Sequence, residues 1–358
     1  MKDSYRVGGA VSLVVLIFLL VQLGALALVR PFAEAGFQQT QNPQDPTNSL
    51  LYLVLILIMT GVMLAAFKYG LHRFIRALLV FVSGLIALYV FSVFAPPVVA
   101  IGLAAVLGLA LLVYPEWYVI DGAGVIMGAG AAGLFGISFG ILPAILLLSV
   151  LAVYDAISVY GTEHMLDLAE GVMDLKVPVV LVVPISLSYS FLEEGSTPDE
   201  MANETDEPAD REESAQDDET AEASEIADAD ESGQPADTDG EAPEMAEEAE
   251  IAEGAIERGA LFIGLGDAVM PAIVVASAAF FLSANGGPVA TFDVPWVFIN
   301  LPALTAMIGT LSGLLVLMYM VLKGRPHAGL PLLNGGAILG YLVGALASGL
   351  SLAAAIGL

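Results

Sequence analysis

The sequence predicts an all-α polytopic membrane protein of nine transmembrane helices, N-terminus inside and C-terminus outside. Three observations carry that reading. Hydrophobic residues make up 57% of the 358-residue chain, and its mean hydropathy is +0.82. Apolar runs of about 20 residues, the length that crosses a bilayer as a helix, recur along it. Hydropathy places the spans at 7–29, 49–67, 74–94, 96–114, 117–137, 140–164, 259–283, 296–322 and 331–357. With this layout Lys2, Arg6, Lys68, Arg73, Arg76, Lys176, Arg211, Arg258, Lys323 and Arg325 share one side, and only Arg30 lies on the other. Cationic loops stay cytoplasmic, which sets the orientation.

The first run begins near Val7. It is too long for a signal-peptide core and has no clear small-x-small cleavage site, so it is expected to remain as a span. Spans two to four are apolar and uniform. The fifth opens on Trp117 and Tyr118, followed by Asp121, which reads as an interfacial acid near a helix N-terminus. Its glycine and alanine wealth from Gly122 to Gly136 reads as close helix packing. Gly136-Ile137-Ser138-Phe139-Gly140 matches the G-x-S-x-G pattern of serine hydrolases, but no histidine lies on that side, so it reads as a turn between spans five and six.

The sixth span carries Tyr154-Asp155 and the seventh carries Gly264-Leu265-Gly266-Asp267. A carboxylate inside a bilayer costs at least about 2.5 kcal/mol and usually marks function. Counted from His164 and from Arg258, each aspartate lies nine residues from the cytoplasmic edge, about 14 Å at the helical rise. Neighbouring antiparallel spans would bring them together. Two close carboxylates in low dielectric cannot both ionise, so the pair shares one proton. That arrangement suits aspartyl hydrolysis: one member draws a proton from water while the other hydrogen-bonds the scissile carbonyl. Gly264 and Gly266 lack a Cβ, so the seventh helix can unwind and admit a peptide beside Asp267. At the ninth span, Gly329-Leu330-Pro331 puts proline in a first helical turn behind extended backbone.

Between the sixth and seventh spans the composition changes. Glu163 to Lys176 reads as a short amphipathic helix at the interface. Pro178-Val179-Val180-Leu181-Val182-Val183-Pro184 is too short to span, and its β-branched residues favour a strand. From Glu193 to Arg258 come 27 of the 39 acids with two arginines. Ile226 is the one branched aliphatic residue between Leu192 and Ile251, so this segment reads as a disordered, solvated cytoplasmic loop. The chain therefore divides into 1–192, 193–258 and 259–358. The loop's acidity, together with scarce lysine, fits a high-salt cytoplasm. Absence of cysteine excludes disulfides, thiolate catalysis and thiolate metal sites. His72, His164 and His327 all fall at span edges, where the ring stays hydrated.

Taken in order, Tyr154-Asp155, Gly264-Leu265-Gly266-Asp267 and Gly329-Leu330-Pro331 on nine spans resemble the signatures of presenilins and signal-peptide peptidases, with the compact archaeal members nearest. The resemblance implies a GxGD-type intramembrane aspartyl protease with Asp155 and Asp267 catalytic. It also implies that Tyr154, Gly264, Leu265, Gly266, Gly329, Leu330 and Pro331 shape the site. One departure is that the family's Pro-Ala-Leu reads Ala328-Gly329-Leu330 here. By analogy with the family, the 178–184 strand or Ala260 to Ile263 pairs with an unwound substrate. The expected setting is the plasma membrane, with transmembrane proteins or leader peptides as substrates, no nucleic acid, no metal or organic cofactor, and no need of accessory subunits. Two readings from other classes stay open: a proton-coupled transporter or cation channel using the paired acids, and a silent membrane scaffold using the acidic loop as an adaptor.

Overall fold

A computed structural model describes residues 2–161, 178–185, 189, 260–284, 289–294, 296–323 and 328–358. The elements in chain order are α1 (Lys2–Glu34), α2 (Thr47–Lys68), α3 (His72–Ser92), α4 (Pro97–Val113), α5 (Trp117–Ser138), α6 (Ile141–Gly161), β1 (Val180–Pro184), β2 (Ala260–Gly264), α7 (Leu265–Ala284), β3 (Thr291–Val294), β4 (Val297–Asn300), α8 (Leu301–Val321), α9 (Gly329–Ala347) and the short α10 (Leu352–Ala355). Among the described residues, eight helices are long and apolar enough to cross a bilayer, and α4 is a shorter apolar helix of 17 residues. At 1.5 Å per residue α4 extends about 26 Å, just short of a typical hydrocarbon core. His164, His327, Lys176, Arg211, Arg258, Arg325, the 163–176 amphipathic segment and the acidic 193–258 loop lie outside the described residues.

Helix α5 forms the centre of the bundle, and its small residues are the reason. A Cβ on Gly24 of α1 would stand 2.7 Å from the Ala129 Cβ, and one on Gly130 would stand 2.7 Å from Val90 of α3. On a third side, a Cβ on Gly136 would stand 2.3 Å from the Ala276 Cβ of α7. Three neighbours therefore approach within distances that larger side chains would forbid, as the composition of 122–136 anticipated. Helices α8 and α9 meet closer still: a Cβ on Gly309 would lie 2.1 Å from the Gly336 carbonyl oxygen. In contrast, Ser49 is the one fully buried residue of α2, and Tyr52, Leu53 and Ile56 pack against the core half-buried.

Two small sheets correct the expectation of an all-helical chain. Strands β1 and β2 pair antiparallel, with Val182 opposite Phe262 and Leu181 opposite Ile263. The 178–184 strand is thus present, but its partner is the 260–264 stretch, which hydropathy had given to the start of the seventh span. Strands β3 and β4 form a second hairpin and shorten the eighth helix at its start. β-branched and aromatic residues dominate β1, β3 and β4, and β2 adds Phe262 and Ile263; hydropathy over a wide window cannot tell such runs from helix. The turn expected at Gly136 to Gly140 narrows to Phe139 and Gly140, because α5 runs to Ser138 and α6 begins at Ile141. The Ser138 hydroxyl is fully buried and accepts the Gln39 N–H at 2.9 Å. His72 opens α3 and its ring lies 5.7 Å from that of Phe67.

Candidate active site

Helix α9 begins with three backbone groups that need partners from elsewhere, because the first turn of a helix has no preceding carbonyl to donate to. Ala328 caps it in extended conformation (φ −61°, ψ 119°) without a side-chain bond of its own. The Leu330 N–H instead donates to Asp155 Oδ2 at 3.0 Å. Asp155, on α6, thus acts as a helix cap supplied from another span, its Oδ2 accepting at the N-terminal end of α9. Pro331 has no N–H and tolerates its place in that turn at no hydrogen-bonding cost. Asp155 is 9% exposed.

Asp267 approaches the same peptide from the other side. It is the third residue of α7, directly after the strand-to-helix junction. A Cβ built on Gly329 would meet Asp267 Oδ2 at 3.4 Å, and one on Gly264 would meet it at 3.6 Å. Asp155, Asp267 and the Gly329-Leu330 peptide therefore form one cluster. Pro271 lies four residues beyond Asp267 inside α7. It cannot donate to the Asp267 carbonyl, which loosens the helix at this turn.

The two aspartates do not reach a common depth by equal helical rise. Residues 260–264 are extended, and strand rises more than twice as far per residue as helix. Equal residue counts from the cytoplasmic edge therefore do not measure equal depth here. The aspartates meet because β2 hands the chain into α7 beside α9.

The remaining predicted residues divide. Leu265 is buried, its side chain seated against α5 where Cβ atoms on Gly128 and Gly124 would lie 3.3 and 3.7 Å from its Cδ1. Its N–H donates to the Val179 carbonyl at 2.8 Å, so it closes the sheet as well. Gly264 and Gly266 are exposed, and a Cβ on Gly266 would meet nothing within 4 Å. Open space thus borders Asp267 on that side. Gly329, Leu330 and Pro331 are half-buried. Tyr154 is 46% exposed, so its ring stands largely outside the cluster.

One residue near the site was misread from the sequence. Asp121 is 6% exposed, not interfacial, and its Oδ1 accepts the Val182 N–H of β1 at 2.8 Å. The signal was available: it is a lone acid inside an apolar span, like Asp155 and Asp267. Pro271, four residues after Asp267, was equally visible.

Residues 15–350 match the sequence model of the family described as signal-peptide peptidase, presenilin aspartyl protease. The chain is also similar to solved structures of a presenilin family intramembrane aspartate protease. In the C222 crystal form the identity is 32% and the TM-score 0.57, covering 94% of this chain and 99% of that one. The P2 form gives 32% identity and a TM-score of 0.55, covering 93% and 96%. No curated protein sequence matches. Nothing in these comparisons supports the transporter reading. A match over nearly the whole length, on a fold that joins two intramembrane aspartates at one glycine peptide, shows that this chain belongs to the signal-peptide peptidase and presenilin family of intramembrane aspartyl proteases.

Proposed function

We propose that Asp155 and Asp267 are the catalytic dyad of this intramembrane protease, cutting peptide bonds within transmembrane segments or leader peptides. The observation that carries the reading is the convergence of both carboxylates on Gly329-Leu330. Sharing one proton, the pair activates water with its ionised member and polarises the scissile carbonyl with its neutral one. Water adds to the carbonyl carbon, and the amide nitrogen leaves with a proton returned from the dyad. Gly264 and Gly329 keep side chains away from Asp267 and Gly266 borders open space, Leu265 anchors the strand-to-helix junction, Leu330 presents the N–H that orients Asp155 with Pro331 holding the turn behind it, and Tyr154 borders the substrate's path. The test is cleavage of a fluorescent transmembrane peptide by the purified chain alone in detergent. Asp155→Asn and Asp267→Asn should each lower turnover at least about 100-fold, the scale of general acid–base catalysis. Wild-type kcat/KM should trace a bell against pH. Full activity in either variant sinks the dyad.

A bound substrate must satisfy its own backbone groups once its helix opens. Strand addition to the β1–β2 sheet supplies them, and what supports this is that β2 leads straight into Asp267. Leu181→Pro would break the ladder and slow cleavage severalfold; unchanged kinetics would remove the sheet from the mechanism.

The reading includes α4 as a ninth span, an N-terminus inside, a cytoplasmic acidic loop and a plasma membrane setting, supported by the segregation of Lys and Arg. The chain acts without accessory subunits, metal or organic cofactor. Its loop composition supports a halophilic archaeal host; activity indifferent to KCl would count against that.

A further inference from the structure

Helix α5 presents Asp121, Gly124 and Gly128 at spacings of three and four, which places them on one face. Each holds part of the segment that carries Asp267. Asp121 Oδ1 takes the Val182 N–H. A Cβ on Gly124 would lie 2.8 Å from Leu181 Cδ2, so the absence of a side chain there makes the notch that Leu181 fills. Gly128 does the same for Leu265, with 3.3 Å to its Cδ1. We infer that Asp121 is a positioning residue for proteolysis, seating the β1–β2 sheet on α5 so that Asp267 and the substrate-pairing edge keep their register.

The hydrogen-bond pattern gives this seat a direction. In an antiparallel pair a residue's N–H and C=O point to the same side, and successive residues alternate. Since the Val182 N–H donates to Asp121, its backbone groups face α5, whereas the backbone groups of Leu181 and Val183 face β2. The Leu265 to Val179 bond has the same parity and agrees. Asp121 therefore occupies the outer edge of β1, and a peptide that joins this sheet must do so along β2, the edge that ends three residues before Asp267.

Stability alone gives little reason for an acid here. Asp121 Oδ2 is buried without a hydrogen-bond partner, a costly state for a carboxyl group. Its other oxygen does, however, give the buried Val182 N–H the acceptor that N–H needs. It also holds a strand edge that would otherwise be unsatisfied within the bilayer.

The inference rests on the dyad reading above. It is tested with the same transmembrane peptide, measuring KM and locating every cut by mass spectrometry in D121L, D121N, V182P and the D121L/V182P pair. V182P removes only the N–H that faces Asp121 and leaves the bonds to β2. D121L and V182P should each raise KM about tenfold, the scale of a lost buried hydrogen bond, and spread cleavage over neighbouring bonds. D121N keeps the acceptor and should retain the wild-type pattern, and the double variant should be no worse than either single one. A smaller folded fraction lowers kcat without moving the cut, so the cut position separates positioning from stability. Wild-type KM and wild-type cuts in D121L overturn the assignment whatever its kcat, as does a D121N as defective as D121L. If D121L fails to fold, V182P decides by the same readout. Cleavage surviving in D267N sinks the dyad and this inference with it.

Discussion

The Leu330 N–H bonds Asp155 while the Cβ position of Gly329 faces Asp267, and this makes the glycine more demanding than its neighbours. Its Cβ position lies 3.4 Å from Asp267 Oδ2, so any β-branched side chain would press on the carboxylate. Gly329→Val should therefore lose most peptide cleavage while remaining folded, as judged by detergent-phase circular dichroism. Gly266 offers the opposite case. Nothing lies within 4 Å of its Cβ position, and Gly266→Ala should keep activity within about threefold, gaining helix propensity as glycine leaves the first turn. Reversal of the two results would mean that the cleft opens on the α9 side. At this scale the sequence supplied the identities of the acids and glycines but not which glycine is crowded. Crowding depends on a residue from another helix, and no local pattern encodes it.

At the scale of elements, glycine again separates two roles. On α5 it admits three neighbours and the sheet; between α8 and α9 it admits backbone against backbone. A Cβ on Gly309 would stand 2.1 Å from the Gly336 carbonyl, which as backbone cannot swing aside. Gly309→Val should push α8 from α9 and cost about 1–3 kcal/mol, the scale of overpacking, read as a lower Tm in detergent. Since α9 delivers Leu330 to Asp155, activity should fall at temperatures well below that Tm. An unchanged Tm would show that the helices can part without loss. The element boundaries were legible where charge or aromatic residues bracket a span, as at Trp117. They failed at 260–264 and 297–300, where apolar β-branched and aromatic residues pair as strands; their partners, not their hydropathy, choose the conformation.

Across the whole molecule, the proposed orientation rests on Lys and Arg alone, and the cysteine-free chain offers a direct check. Gln41→Cys, in the exposed α1–α2 connection, should react with a membrane-impermeant maleimide on intact cells. Ser214→Cys, in the acidic loop, should react only after permeabilisation. The reverse pattern would invert the topology and put the aspartates nearer the opposite face. The comparison with the presenilin-family structures at 32% identity bears on the fold and the family. It is the labelling that addresses sidedness.

Much of this protein was determined by its sequence because insertion into a bilayer is decided segment by segment. Each apolar run partitions on its own composition, cations stay behind, and an acid within a span stands out against its surroundings. The spans, the family signatures and the two aspartates follow from that. Tertiary structure alone decided that 260–264 is a strand, that Asp155 caps α9, and that Asp121 is a buried anchor and not an interfacial acid. Those bonds join residues 175 and 61 positions apart. Within a water-free interior an unpaired N–H must find an acceptor wherever the fold provides one, and that acceptor cannot be read from the residues next to it.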